Sequence, residues 1–122
     1  MEPRVNWFEI AVSDFDRAKK FYETIFDEGL IVLDLGNLKM GLFPRGANVG
    51  GAICYEPNWY KPSADGTIIY LNANPDLQLI QDRIESAGGS VIQPKKMISP
   101  ERGYMCLFLD SEGNRLALNS DQ

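Results

Sequence analysis

Glu9 lies in the run Trp7-Phe8-Glu9-Ile10-Ala11-Val12, where a strand would send Trp7, Glu9 and Ala11 to one face and Phe8, Ile10 and Val12 to the other. A carboxylate beside an indole can hold a positive group or abstract a proton, and the indole face can stack on a planar or cationic molecule. Ile68, Tyr70 and Asn72 occupy equivalent alternate positions in a second strand-like run, and Arg115, Ala117 and Asn119 in a third. Tyr70 adds another stacking surface, while Arg115 or Asn119 can fix an oxygen. Trp7, Glu9, Ile68, Tyr70, Asn72, Arg115, Ala117 and Asn119 are the candidate ligand-binding set, with Glu9 the candidate general base. Each has a structural alternative: Glu9 in an ion pair with Arg115, Trp7 and Tyr70 as mere lining.

Several chemistries are closed to this chain. It contains no histidine, the commonest transition-metal ligand and the usual acid-base residue near neutral pH. Ordinary zinc and non-haem iron constellations are thereby removed, and Ser63 and Asp65 have no partner to complete a nucleophilic triad. Oxygen-only coordination of magnesium or manganese remains open but disfavoured. The expected cofactor is therefore none. A net charge of -5 argues against nucleic acid, which needs clustered Lys and Arg. Cys54 and Cys106 are expected as reduced, buried small hydrophobes. Uncharged runs such as Val49 to Tyr55 fall far short of the about 20 residues of a membrane span. Met1-Glu2-Pro3-Arg4 opens no basic, apolar leader, so a cytoplasmic location is the default expectation.

The elements that would position these residues come in two matching sets. After the strand Val5 to Val12, Phe15, Ala18, Tyr22 and Ile25 recur at helical spacing, with Ser13 or Asp14 as cap and Gly29 placed to stop the helix after Phe26. Extended segments follow at Leu30 to Leu35, Leu38 to Phe43 and Val49 to Tyr55. Gly36-Asn37 is a two-residue hairpin signal, and Pro44 to Asn48 a longer turn. Beyond a polar loop the order repeats: a strand Thr67 to Ala73, a helical stripe Leu77, Ile80, Ile84 and Ala87, then strands Ser90 to Gln93, Tyr104 to Leu109 and Arg115 to Asn119. Asn74-Pro75 reads as a cap with proline at the first helical position, and Gly88-Gly89 as the stop. The two helical stripes superpose at one constant offset. With 122 residues, 44% hydrophobic and 24% charged, the chain fits one domain of about 100 to 150 residues. The expected class is α+β: duplicated βαβββ modules, about 4-56 and 66-120 joined by a loop 57-65, whose curved mixed sheets enclose a cleft.

Trp7 to Tyr22, with Asp14-Phe15-Asp16-Arg17-Ala18 followed by Phe21-Tyr22, resembles the opening of the vicinal oxygen chelate superfamily of glyoxalase, bleomycin-resistance and extradiol dioxygenase proteins. Phe108 to Leu118, containing Asp110-Ser111-Glu112-Gly113-Asn114, is similar to its closing hairpin and last strand. The resemblance implies paired βαβββ modules, a homodimer, and clefts that bind a divalent metal or, in drug-binding members, a ligand without one. It also implies where metal ligands would stand, namely Trp7, Ile68 and Ala117, with a fourth position within Gly51 to Tyr55. None of the first three can ligate, and Cys54 is the only candidate donor for the fourth; Glu56 has suitable chemistry just outside that stretch.

The expected function is therefore a homodimeric, metal-free protein that binds a small aromatic or cationic molecule. The alternatives are a lyase or isomerase using Glu9 as general base, and a non-catalytic interaction module whose cleft is filled by its own side chains. The loop Asn58 to Gly66, with Trp59 and Tyr60, is expected either to cap the cleft or to pack on a partner.

Overall fold

The structure, a computed structural model, describes residues 4–44 and 49–122. Ten elements follow in order: β1 (Trp7–Ala11), α1 (Phe15–Phe26), β2 (Ile31–Asp34), β3 (Lys39–Leu42), β4 (Gly50–Tyr55), β5 (Tyr70–Asn72), α2 (Gln78–Ala87), β6 (Ser90–Ser99), β7 (Gly103–Leu109) and β8 (Arg115–Ser120). They make two four-stranded sheets, β1-β4-β3-β2 and β5-β8-β7-β6. In each sheet the first strand runs parallel to the last and the other pairs are antiparallel. The sheets repeat one another strand for strand, as the duplicated βαβββ pattern requires.

One cluster joins the halves. Ile10, Val12, Phe15, Ala18, Phe21, Tyr22 and Ile25 from the first pack with Leu71, Ala73, Leu77, Ile84, Phe108 and Leu118 from the second. The helical stripes and the Phe8, Ile10, Val12 face of β1 therefore turn inward, and the Trp7, Glu9 side of β1 is left facing outward. Gly51 lies opposite Phe8 in the β1–β4 ladder, and a Cβ there would fall 2.3 Å from the Phe8 ring, so the strand can approach only without a side chain.

The helix ends differ from expectation at two points. Asp14 caps α1 by accepting from the Arg17 amide at 3.1 Å, but the stop is Asp27, in the left-handed region at φ 51, rather than Gly29. A short polar side chain tolerates that conformation, so no glycine is needed. Pro75 is not the first helical residue: its peptide bond with Asn74 is cis and α2 starts at Gln78. The free amides there are met from elsewhere, Leu77 by the Ser120 hydroxyl at 2.9 Å and Gln78 by the Asp76 carboxylate at 2.9 Å. Gly88, at φ 111, ends α2 as its sequence predicts.

Among the strands, β6 runs to Ser99, well past Gln93, because bulges absorb the register breaks around Pro94. β5 is shorter than Thr67 to Ala73, although the Ile69 carbonyl continues its ladder by accepting from the Ala117 amide. Gly36-Asn37 forms the expected two-residue loop, closed by the Leu35 amide on the Leu38 carbonyl, with φ 92 at Gly36. Of the turn Pro44 to Asn48, residues 45–48 lie outside the described residues, as do Met1 to Pro3. Among the described residues no helix is long and apolar enough to cross a membrane.

The closing hairpin holds the site's framework. Buried Asp110 accepts from the Tyr22 hydroxyl at 2.6 Å and from the amides of Glu112 and Asn114. Asn114 donates to the Ala11 carbonyl at 2.7 Å and accepts from the Ser63 amide at 2.9 Å, clamping β1 and the inter-module loop together. Glu112 accepts from the amides of Ser13 and Asp14 and from Arg17 at 2.7 Å, which locks the start of α1 to the same hairpin.

Candidate functional site

Glu9 stands on the outward face of β1 with both carboxylate oxygens engaged. Tyr60 donates its hydroxyl to Oε1 at 2.8 Å, and the Trp7 indole N–H lies 3.3 Å from Oε2. Tyr60 reaches this position because the chain turns sharply after β4: the Trp59 and Tyr60 amides both donate to the Glu56 carbonyl, at 3.1 and 2.9 Å. Beneath them alternate residues of β3 and β4 form an apolar floor of Met40, Ala52 and Cys54, with Leu38, Leu42 and Tyr60 packed against it. The inter-module loop thus caps the first sheet through Tyr60, while Trp59 stays 84% exposed.

The titration behaviour of this cluster limits its chemistry. Burial, and then the Glu9 charge, push the Cys54 thiol up to about 12. The hydrogen bond to Glu9 is the main cause that raises the Tyr60 hydroxyl, also to about 12. Near neutral pH neither is ionised, so neither is an activated nucleophile.

Arg115 and Glu9 border one cavity of about 190 Å³, together with Ala11, Lys61, Asp65 and Asn114. They do not pair. The Arg115 guanidinium donates to the Gly66 carbonyl at 3.0 Å; among the described residues its buried Nε has no partner, and the ion pairs are Arg17–Glu112, Lys19–Glu23 and Lys95–Asp76. The remaining candidates gather on the second sheet, Tyr70 opposite Ala117 and Asn72 opposite Asn119. Both asparagines are committed locally: Asn72 accepts from the Asn74 amide, and Asn119 donates to the carbonyls of Arg102 and Tyr104. Tyr70 is exposed, Ala117 is buried, and Ile68 is half-buried in the segment leading into β5. The eight candidates therefore do not form one site: Glu9 and Arg115 border one cavity with Trp7 bonded to Glu9, Tyr70, Asn72, Ala117 and Asn119 lie on the second sheet, and Ile68 precedes β5.

The sequence named the loop of Trp59 and Tyr60 as a cap for the cleft or a partner contact, but not Tyr60 as the residue that bonds Glu9, nor the floor. The signal for the floor was the alternation in Leu38 to Leu42 and Ala52 to Cys54, which marks a second apolar face on strands whose other face meets the helices. Tyr60 carried no comparable pattern, since its role depends on the turn at Glu56.

Two repeated βαβββ halves with an outward-facing polar and aromatic cluster define a paired-module α+β protein. The chain belongs to the glyoxalase/bleomycin resistance protein/dioxygenase superfamily, whose family model matches residues 4–118. A glyoxalase/bleomycin resistance protein from Albidiferax ferrireducens T118 superposes with TM-score 0.76 at 14% identity, covering 95% of this chain and 97% of its own. A superfamily member from Sphaerobacter thermophilus DSM 20745 is 25% identical, with TM-score 0.69 over 97% of each chain. Glyoxalase I from Zea mays gives TM-score 0.71 at 17% identity, over 96% of this chain but 44% of the maize chain. At 14% and 17% the likeness is one of fold. No match is found among curated proteins.

The donor set does not fit the divalent metal that the superfamily resemblance implies. Trp7, Ile68 and Ala117 carry no ligating atom for it and the Cys54 thiol is held protonated, which leaves Glu9 as a single carboxylate. Among the described residues no three His, Cys, Asp or Glu side chains come together.

Proposed function

We propose that the chain binds a small organic cation with a flat aromatic body, without a metal, on the outward face of its first sheet. The observation that carries this reading is the Glu9 carboxylate, fixed by Trp7 and Tyr60 above the apolar floor of Met40, Ala52 and Cys54. A carboxylate already held by two donors needs little reorganisation when a cation arrives, which lowers the entropic cost of binding. Trp7 is 43% exposed and offers its ring for stacking. The unpartnered Nε of Arg115, in the adjoining cavity, suits an oxygen on the same ligand. Net charge of -5 favours the approach of a cation.

The same reading includes a homodimer. Strand β2 is a sheet edge, and Ile31, Val32 and Leu33 are all exposed on it, followed by exposed Leu35. An apolar edge of this kind calls for cover, and a second copy of the chain would supply it.

The test is calorimetric titration with N-methylquinolinium, a permanent aromatic cation, against quinoline at pH 8, where quinoline is neutral. The cation should bind at least about 10-fold more tightly, a difference of about 1.4 kcal/mol, and Glu9→Gln should erase the preference. Equal binding of the two, or no binding of the cation, would refute the reading. Light scattering on the eluting protein gives the oligomeric state directly.

A further inference from the structure

Glu56 presents a different problem from Glu9. Only 9% of its surface is exposed, its Oε1 accepts from the Asn58 amide at 3.2 Å, and its Oε2 is buried with no hydrogen-bond partner among the described residues. A buried carboxylate oxygen without a donor is costly, and native folds seldom leave one unserved. The lysines nearest in sequence are committed elsewhere: Lys61 donates to the Pro57 carbonyl, and Lys39 sits over the Phe15 ring. Glu56 lines a cavity of about 510 Å³ with Asn37 and Leu38 from the β2–β3 hairpin and Trp59 and Tyr60 from the turn after β4. That volume is in the range of small-molecule sites.

We propose that this cavity is a second binding site, for a primary organic ammonium that donates a hydrogen bond to Oε2 of Glu56 and lays its carbon skeleton against Trp59. The chemistry selects this class. A desolvated lone pair needs an N–H donor, which a quaternary cation lacks. A bare metal ion would find one carboxylate and at most the amide oxygen of Asn37 and the phenol of Tyr60, short of the roughly six or more oxygens a hard cation takes. The ammonium charge answers the carboxylate, and the largely exposed Trp59 ring supplies a face for the cation and its alkyl or aryl arm. The site is separate from the Glu9 groove, although Tyr60 stands between them.

Titration of the full chain with 2-phenylethylammonium, followed by calorimetry, tests the proposal. Saturable binding is expected in the wild type and in Glu9→Gln, weakened at least about 10-fold by Glu56→Gln and by Trp59→Ala, and absent for 2-phenylethanol. Circular dichroism and melting temperature establish that each variant is folded; Trp59→Ala, at an exposed position, decides the matter if Glu56→Gln is not. Unchanged affinity in a folded Glu56→Gln or Trp59→Ala chain, equal binding of the alcohol, or no saturable binding overturns the proposal. So does a crystal soaked in the amine that shows only water on Oε2. Because 2-phenylethylammonium also has the charge and ring that the Glu9 site is proposed to take, Glu56→Gln and Trp59→Ala are read in the Glu9→Gln background, where only the Glu56 cavity is left to bind it and the two sites can fail independently.

Discussion

The Tyr60 hydroxyl meets Oε1 of Glu9 at 2.8 Å although the two residues are 51 apart in sequence. That bond ties the loop between the modules to the first strand. Tyr60→Phe should weaken N-methylquinolinium binding several-fold and cost about 1 to 2 kcal/mol in urea denaturation, the range for a hydrogen bond to a charged group reduced by exposure. A variant that binds and unfolds like the wild type would show that Tyr60 does not position Glu9.

Glu112 should contribute to stability against acid. Desolvation opposes its charge, but Arg17, the Asp14 amide and the hydroxyls of Ser111 and Ser13 win, holding the carboxyl at about 2. An unfolded glutamate titrates near about 4.3, so the folded state binds fewer protons between these values. The stabilisation is fully present above about pH 4.3 and is lost as pH falls towards about 2. It amounts to about 2 to 3 kcal/mol. Glu112→Gln should be less stable at pH 7 by at least that order, and the gap to wild type should shrink between pH 5 and pH 2. A gap independent of pH would rule out this assignment.

Tyr22→Phe removes the 2.6 Å donor to buried Asp110 and leaves that carboxylate short of a partner. The loss should be about 1.5 to 3 kcal/mol, read from the urea midpoint at constant slope. A change within about 0.5 kcal/mol, as at an ordinary surface position, would mean the contact contributes little.

These contacts also show what the sequence could and could not reveal. Helix stripes, the Gly36-Asn37 hairpin, the Gly88 stop and the inward face of β1 follow from local periodicity and turn chemistry, and they were legible. Asp27 in place of Gly29, Pro75 outside α2 and the long β6 were not: a short polar residue can take the left-handed turn as glycine does, Leu77 is met by Ser120 from the last strand, and β6 is lengthened by its bulged pairing with β7. The same holds at the site. Glu9 and Trp7 share a face by simple alternation, whereas Tyr60 arrives through the turn at Glu56. Arg115 reaches the groove, but its donor goes to Gly66 and not to Glu9.

Cys54 and Cys106 are free and buried, with thiols pushed up to about 12 and about 11, chiefly by burial. In native protein at pH 8 both should react with a chromogenic disulfide far more slowly than a free thiol, and both should react fully in urea. Rapid labelling of one thiol in the native chain would mean that its strand opens readily.

Nickel, zinc, manganese and magnesium should leave the melting temperature unchanged at low concentration, and elemental analysis of untagged protein should find no stoichiometric metal. A shift of several degrees would mean that donors outside the Trp7, Ile68 and Ala117 positions assemble on binding.

The helix-packed side of both sheets forms the common core, and the candidate ligand residues sit on the opposite side, several of them exposed. On the proposed reading, stability and recognition are written on different faces of the same strands. On that reading, exchanging exposed Trp7 or Tyr70, or Glu9, would change what the surface attracts while leaving the cluster around Phe21, Tyr22 and Phe108 intact. A scaffold divided in this way can drift from one ligand to another, or gain and lose a metal, by substitutions at alternate strand positions, each tried without placing the fold at risk.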